Sequence, residues 1–301
     1  MPALLVVAVS SEGRAPAVVG VDEPVVAADD LGLTRGDGCF EGLRLVRDAD
    51  GGVVVPHLEA HLARMQRSAR SLDLPDDPAP WARLLDLAAQ EWAASAPRAG
   101  EAAVKLSMTR GRPVSAGDEP QPTVLVTVSA MDAASLRARS AGISVASMTR
   151  GYAADAFAGA PWLLGGVKTL SYAIHTAAQR EAARRGADDA LFTAADGSLL
   201  EAPTASVLWV PEPGVLRTVA QGDNGILSST TQHLLFDRAR SAGWRAEETT
   251  GTLADLRVAR VVLLTSAVRG PVRVVRLDGE AVSQHDDAAA LTAELQELAG
   301  F

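Results

Sequence analysis

Of the 28 basic residues in this 301-residue chain, only Lys105 and Lys168 are lysine; the rest are arginine. The distinction is chemical. Arginine keeps its proton and cannot condense with a carbonyl, whereas a desolvated lysine becomes an amine nucleophile and a base. Lys168 sits in the apolar frame LLGGVKTL, an unusual setting for a solvated surface lysine. A carboxylate, Glu201, follows in the segment GSLLEAPTAS. Arg64, in HLARMQR, carries a planar guanidinium fork. Ser229, Thr230 and Thr231 open a helix-like stretch, where hydroxyls and unpaired backbone N–H groups favour an anion.

Other chemistries are poorly served. His57-Leu-Glu-Ala-His61 puts two imidazoles on one helical face, but the glutamate is misplaced for HExxH; surface or packing histidines are expected, and no metal site. Gly36-Asp-Gly38-Cys-Phe-Glu-Gly42 spaces its third glycine one residue too far for a dinucleotide fingerprint, and no clear strand feeds it. In Gly166-Val167-Lys168-Thr169 a valine interrupts the phosphate-loop pattern. No GxSxG elbow and no cysteine–histidine cluster is present. A net charge of −9 has the wrong sign for a nucleic-acid or anionic-membrane binder. Cys39 is the single cysteine, so an internal disulfide is excluded and a reducing cytoplasm is expected. The apolar start lacks a basic n-region, and no run approaches the length of a membrane span.

Periodicity shows which elements must hold these residues. Leu58, Leu62, Met65, Ala69 and Leu72 step by three and four, predicting a helix over 57–72 that carries Arg64. Prolines at 75, 78 and 80 interrupt it; Trp81, Leu84, Leu85, Ala88 and Trp92 predict a second helix over 81–94. Residues 103–109 alternate and 123–129 are valine-rich, both strand-like, with a loop over 110–121 between them. The polar, alanine-rich stretch 131–142 reads as a linker. Beyond it, strands at 143–148, 190–193, 206–210 and 258–265 alternate with helices at 169–185, 230–242 and 286–298. Gly186 and Gly243 close the first two helices, and Ser228 and Ser229 are placed to cap the second. The expectation is a mixed α/β protein with a smaller domain over 1–130 and a larger one over 143–301.

At this point a family enters. RGDGCFEGLRLV (35–46), HLEAHLARMQRSARSLDLP (57–75), GVKTLSYAIHTAAQREAARRGADDALFTAADGSLLEAPTASVLWV (166–210), and ILSSTTQHLLF (226–236) with VVLLTSAVRGPVRV (261–274) occur in order. Together they resemble the fold-type IV pyridoxal-phosphate enzymes, which include branched-chain and D-amino acid aminotransferases and aminodeoxychorismate lyases. The resemblance implies the two-domain fold of the D-amino acid aminotransferase type, a homodimer, and pyridoxal 5'-phosphate bound by the C-terminal domain. It makes Lys168 the lysine that holds the cofactor covalently, and Glu201 the carboxylate paired with the pyridine nitrogen. Arg64, Ser229, Thr230 and Thr231 match its phosphate contacts, with Thr231 the best match. A second threonine contact would fall near Ala267, where only the backbone amides of Ser266 and Ala267 are expected to serve.

The reaction is read from finer detail. GDGCF resembles the lyase branch, and D-amino acid aminotransferases usually carry tyrosine where Phe40 stands. They also place an arginine–histidine pair in the loop after TRG, whereas TRGRPVSAGDEP has no histidine. Lys105 falls where lyase relatives have a lysine; its other reading is a surface lysine on an edge strand. Glu41 is more usual among aminotransferases. The segments PWLLGGVKTLSYA and TSAVRG look most like actinobacterial aminodeoxychorismate lyases. The resemblance therefore implies a lyase taking 4-amino-4-deoxychorismate to 4-aminobenzoate and pyruvate, on the path to folate. Branched-chain or D-amino acid transamination is the alternative, and a cofactor-free binding protein the remote one. Phe40, Lys105, Arg110 and Arg269 are the candidate contacts to this small-molecule substrate.

Overall fold

The computed structural model describes residues 4–11, 13–48, 50–96, 100–115 and 118–301. Two units form: Met1–Ala133 with Val167–Ser171, and Ala134–Gly166 with Tyr172–Phe301. Lys168 thus belongs with the first unit, although it lies far along the chain.

The first unit is built on strands β1 (Leu4–Ser11), β2 (Arg14–Val19), β3 (Gly38–Arg47), β4 (Val53–Val54), β5 (Glu101–Thr109) and β6 (Val124–Ala130). They form one antiparallel sheet in the order β2-β1-β6-β5-β3-β4. The short helix α1 (Leu31–Arg35) precedes β3, while α2 (Leu58–Arg70) and α3 (Ala79–Ser95) follow β4. Along β3 and β5, Leu43, Leu45, Ala102, Val104, Leu106 and Met108 are buried, alternating with more open positions. This period of two gives the sheet one covered face. Helix α2 packs on β3, and α3 packs on β1, β2 and β6. The stripes read from the sequence are what they bury: Met65 and Ala69 from α2, and Trp81, Leu84, Leu85, Ala88 and Trp92 from α3.

The second unit contains α4 (Ala133–Ala141), β7 (Ile143–Thr149), α5 (Ala173–Arg184), β8 (Asp189–Thr193), β9 (Ser206–Val210) and β10 (Val215–Val219). It continues through α6 (Thr230–Ser241), β11 (Arg245–Thr249), α7 (Leu253–Val258), β12 (Val261–Ser266), β13 (Gly270–Leu277), β14 (Glu280–Ala281) and α8 (Ala288–Leu298). Its mixed sheet runs β11-β10-β9-β12-β13-β7-β8, with β14 beside β13. Here both faces are covered, so β9 and β12 are buried at consecutive positions, Val207–Val210 and Val261–Leu264. Trp209, Val262 and Leu264 enter one core with Leu256 of α7; Leu208, Val210, Val261 and Leu263 enter another with Leu235 and Phe236 of α6 and Leu295 of α8.

Four local readings change. Gly38–Arg47, to which the sequence reading assigns no element, is the long strand β3. Residues 169–172 are not the start of a helix: Thr169 bridges Cys39, and Leu170 N–H donates to the Gly38 carbonyl at 2.9 Å. Those hydrogen bonds to β3 hold Thr169 and Leu170 out of a helix, and α5 begins only at Ala173. The stretch read as linker contains helix α4, in keeping with the high helix propensity of alanine. Val258 closes helix α7 rather than opening a strand, and β12 starts at Val261.

Candidate functional site

In the first unit, Lys168 is held by its backbone before its side chain does anything. Its N–H donates to Ser68 Oγ of α2 at 3.2 Å, and its carbonyl accepts the Phe40 N–H at 3.0 Å. Gly38 makes this approach possible: its φ is +156°, and a Cβ there would lie 2.3 Å from the Met108 carbonyl oxygen and 2.7 Å from Leu170 Cδ1. The Lys168 side chain is buried, with Nζ 4.4 Å from the centre of the Phe40 ring. Lys105 Nζ lies 4.6 Å from the same ring centre. Phe40 and Lys105 meet because β3 pairs with β5, Gly42 opposite Lys105 and Phe40 opposite Ser107. Lys105 therefore stands on an inner strand, between β3 and β6, and not on an edge. It is exposed as a residue, yet the protein surrounding its ammonium group lowers its pKa by desolvation.

One residue on from Phe40, β3 turns its other face to α2. Glu41 is fully buried there, and Arg64 grips it with both arms of its fork: Nε to Oε1 and Nη2 to Oε2, each 2.7 Å. His61 Nδ1 meets Oε2 at 2.9 Å. Burial alone would raise the Glu41 pKa, but the Arg64 charge and the hydrogen bonds from Arg64 and His61 outweigh it, lowering it to about 2. His61 is thus a buried packing histidine with a polar partner, and among the described residues no cluster able to hold a metal occurs. Neither Glu41 nor His61 stood out as a site residue in the sequence. The available signal was the spacing of His61 and Arg64, three apart on one helix face, opposite an acidic residue inside a strand.

Cys39 is inert by environment: burial pushes its thiol up to about 12, with Glu41 and Asp37 adding to the shift. Arg110 is tied to Asp37 through Nε at 2.7 Å and also donates to the Leu72 carbonyl.

In the second unit, Glu201 lies between β8 and β9, and its Oε2 accepts the Leu227 N–H at 3.2 Å. Tyr152 feels it: burial raises the Tyr152 pKa, Arg150 opposes this, and the Glu201 charge adds to it. Ser229 is the N-cap of α6, its hydroxyl accepting the Gln232 N–H at 3.2 Å, with Thr230 and Thr231 in the first turn. Ser266 and Ala267 end β12, where Ser266 Oγ accepts the Arg269 N–H at 3.3 Å. The Arg269 side chain pairs at 2.9 Å with Asp189, which is buried.

Thr265 was missed by sequence reasoning. It is fully buried, and among the described residues its Oγ1 has no hydrogen-bond partner; the same holds for Gln232 Nε2 in the first turn of α6. A hydroxyl closing the apolar strand VVLLT was the overlooked signal. Buried polar atoms without a partner are exceptions in folded proteins, and a helix N-terminus such as that of α6 favours an anion.

Comparison with known proteins identifies the family. The sequence model of the family described as "Amino-transferase class IV" matches residues 38–277. A "Bifunctional aminodeoxychorismate lyase / D-amino acid transaminase" from Mycobacterium tuberculosis is 38% identical over 271 residues, covering 85% of this chain and 87% of that protein. Among solved structures, a "hypothetical aminotransferase" from M. tuberculosis in its PLP-bound form superposes with a TM-score of 0.86, at 37% identity, over 97% of this chain and 98% of that one. A fold IV transaminase from Curtobacterium pusillum superposes with a TM-score of 0.84, at 36% identity, over 98% of this chain and 97% of that one.

Proposed function

Because the chain belongs to the class IV aminotransferase family, we propose that it is a pyridoxal-phosphate lyase converting 4-amino-4-deoxychorismate to 4-aminobenzoate and pyruvate. Its cofactor is pyridoxal 5'-phosphate, and the residues fit it: a buried lysine amine, a carboxylate, a buried arginine, and hydroxyls at a helix N-terminus. Lys168 carries the cofactor. Glu201 would pair with its ring nitrogen, and Arg64, Ser229, Thr230, Thr231, Thr265 and the amides of Ser266 and Ala267 would hold its phosphate. When bound, the cofactor supplies a ring that accepts electrons from the substrate's amine-bearing carbon. Lys168 Nζ would be the base that takes the proton from that carbon. Loss of the enolpyruvyl group then leaves an aromatic product, and a proton from Lys168 or water completes pyruvate.

The observation that carries the lyase reading is that two lysine side chains reach the Phe40 ring. The substrate has two carboxylates, and Lys105 supplies a cation at the same aromatic ring that Lys168 reaches. Arg110 and Arg269, whose forks already serve Asp37 and Asp189, are weaker candidates for that contact. D-amino acid transamination is the second reading, favoured by the printed name of the bifunctional relative, and branched-chain transamination is the third.

We place the enzyme in the cytoplasm, on its single buried cysteine, and propose a homodimer. The exposed Trp162, Leu163 and Ile174 suit burial by a second copy. No helix of the described residues is long and apolar enough to cross a membrane.

The test has two parts. Purified protein should absorb near the visible edge, and Lys168→Ala should abolish both that band and turnover. Supplied with aminodeoxychorismate and no keto acid, the parent should release 4-aminobenzoate. Product only from D-alanine or branched-chain amino acids with 2-oxoglutarate would replace the lyase reading by transamination, and a protein taking up no cofactor would overturn the enzyme reading.

A further inference from the structure

The proposed chemistry leaves unused a fully buried carboxylate, Glu41, and the histidine that shares it. Both sit on Arg64. The two 2.7 Å bonds from Nε and Nη2 occupy one edge of the guanidinium and fix its plane, while His61 holds the second carboxylate oxygen at 2.9 Å. All three groups are out of water. A buried ion pair contributes little net stability compared with apolar packing of the same size. What it supplies is orientation: an arginine is long and flexible, and a two-point grip removes that freedom before any ligand arrives. The placement has a purpose as well. Arg64 and Ser68 are one turn apart on α2, and Ser68 Oγ holds the Lys168 backbone at 3.2 Å. The helix that orients the fork therefore also fixes the lysine.

We propose that Glu41 and His61 are positioning residues that aim Arg64 at the cofactor phosphate, so that the chain selects the phosphorylated cofactor over its unphosphorylated form. The inference rests on Arg64 being the phosphate anchor. It goes beyond that assignment in making the preference for phosphate depend on two residues that never touch the ligand.

The test compares pyridoxal 5'-phosphate with pyridoxal, which has the aldehyde and ring but no phosphate. Cofactor-stripped protein is titrated with each, following absorbance, for the parent and for Glu41→Gln, which keeps the shape and removes the charge. Glu41→Gln should weaken pyridoxal phosphate binding about tenfold, the lower end of what loss of an orienting partner costs at ligand sites. Binding of pyridoxal should not change. His61→Asn should move the same ratio in the same direction by less, and serves if Glu41→Gln does not fold. A merely structural role would weaken both ligands together, leave the ratio at the parent value, and overturn the proposal. So would tighter phosphate binding in Glu41→Gln, which would mean that the carboxylate only neutralises Arg64. A parent that binds neither aldehyde would overturn the function reading and this inference with it. A parent that binds both equally would overturn this inference alone.

Discussion

The two units treat their polar groups in opposite ways. The first buries charge: Arg64, Glu41 and His61 form a closed network on one side of β3. The second offers neutral donors, the N-terminus of α6 and the Thr265 hydroxyl, the latter buried with no partner among the described residues. A charged group cannot wait unpaired in a low-dielectric interior, so it needs a permanent counter-charge. A hydroxyl can wait at modest cost, because one unmade hydrogen bond is tolerable. The first arrangement couples ligand binding to folding; the second leaves the two nearly independent.

The sharpest way to break this contrast is to remove one partner of the network. Arg64→Met leaves Glu41 buried without its cation and should cost about 3–5 kcal/mol of stability, read as a lower denaturant midpoint in cofactor-free protein. A change within error would mean that the network carries no such coupling.

Acid probes the same region without mutation. The folded Glu41 pKa, about 2, lies below its ordinary 4.5, so its contribution is complete above pH 4.5 and is lost as pH falls toward 2. Over that window the parent should lose up to about 3 kcal/mol through this group. Glu41→Gln should show a correspondingly flatter acid limb in urea unfolding followed against pH. Identical limbs would show that other carboxylates dominate.

The neutral region should behave otherwise. Thr265→Val removes a hydroxyl that bonds to nothing in the described structure, so the unfolding midpoint of cofactor-free protein should stay in place. Affinity for pyridoxal phosphate should fall by about 1 kcal/mol, the usual worth of one hydrogen bond. A large loss of stability in the cofactor-free protein would remove the distinction between the two regions.

The smallest effect is expected at Arg110, whose pair with Asp37 is partly solvated. Arg110→Gln should cost about 0.5 kcal/mol and leave the substrate KM unchanged. A raised KM would return Arg110 to the substrate contacts.

How much was legible follows from where each residue's partners lie in the chain. Helices α2 and α3 were read from their stripes, because a 3.6-residue period encodes a buried face locally. Strands β5, β6, β7, β8 and β9 were readable as alternating or continuous apolar runs. Lys168 stood out because arginine had replaced lysine almost everywhere else, and Ser229 because an N-cap announces itself by position. Strand β3 was hidden: glycines, a cysteine and a glutamate blur its alternation, and only pairing with β5 along its length makes it a strand.

The sequence alone therefore determined the residue types, the helical faces, the α/β class and the family resemblance, all of which depend on neighbours within a few turns or on ordered motifs. Tertiary structure alone decided which charges face each other. Glu41 meets Arg64 and His61 across a strand–helix interface, and Lys105 reaches the ring that Lys168 touches from another part of the chain. It also decided that residues 169–172 stay outside helix α5, since β3 bonds the backbone of Thr169 and Leu170. The physical reason is the same in each case. A side chain's charge state and a segment's conformation depend on desolvation and on long-range partners, and neither is written in local spacing.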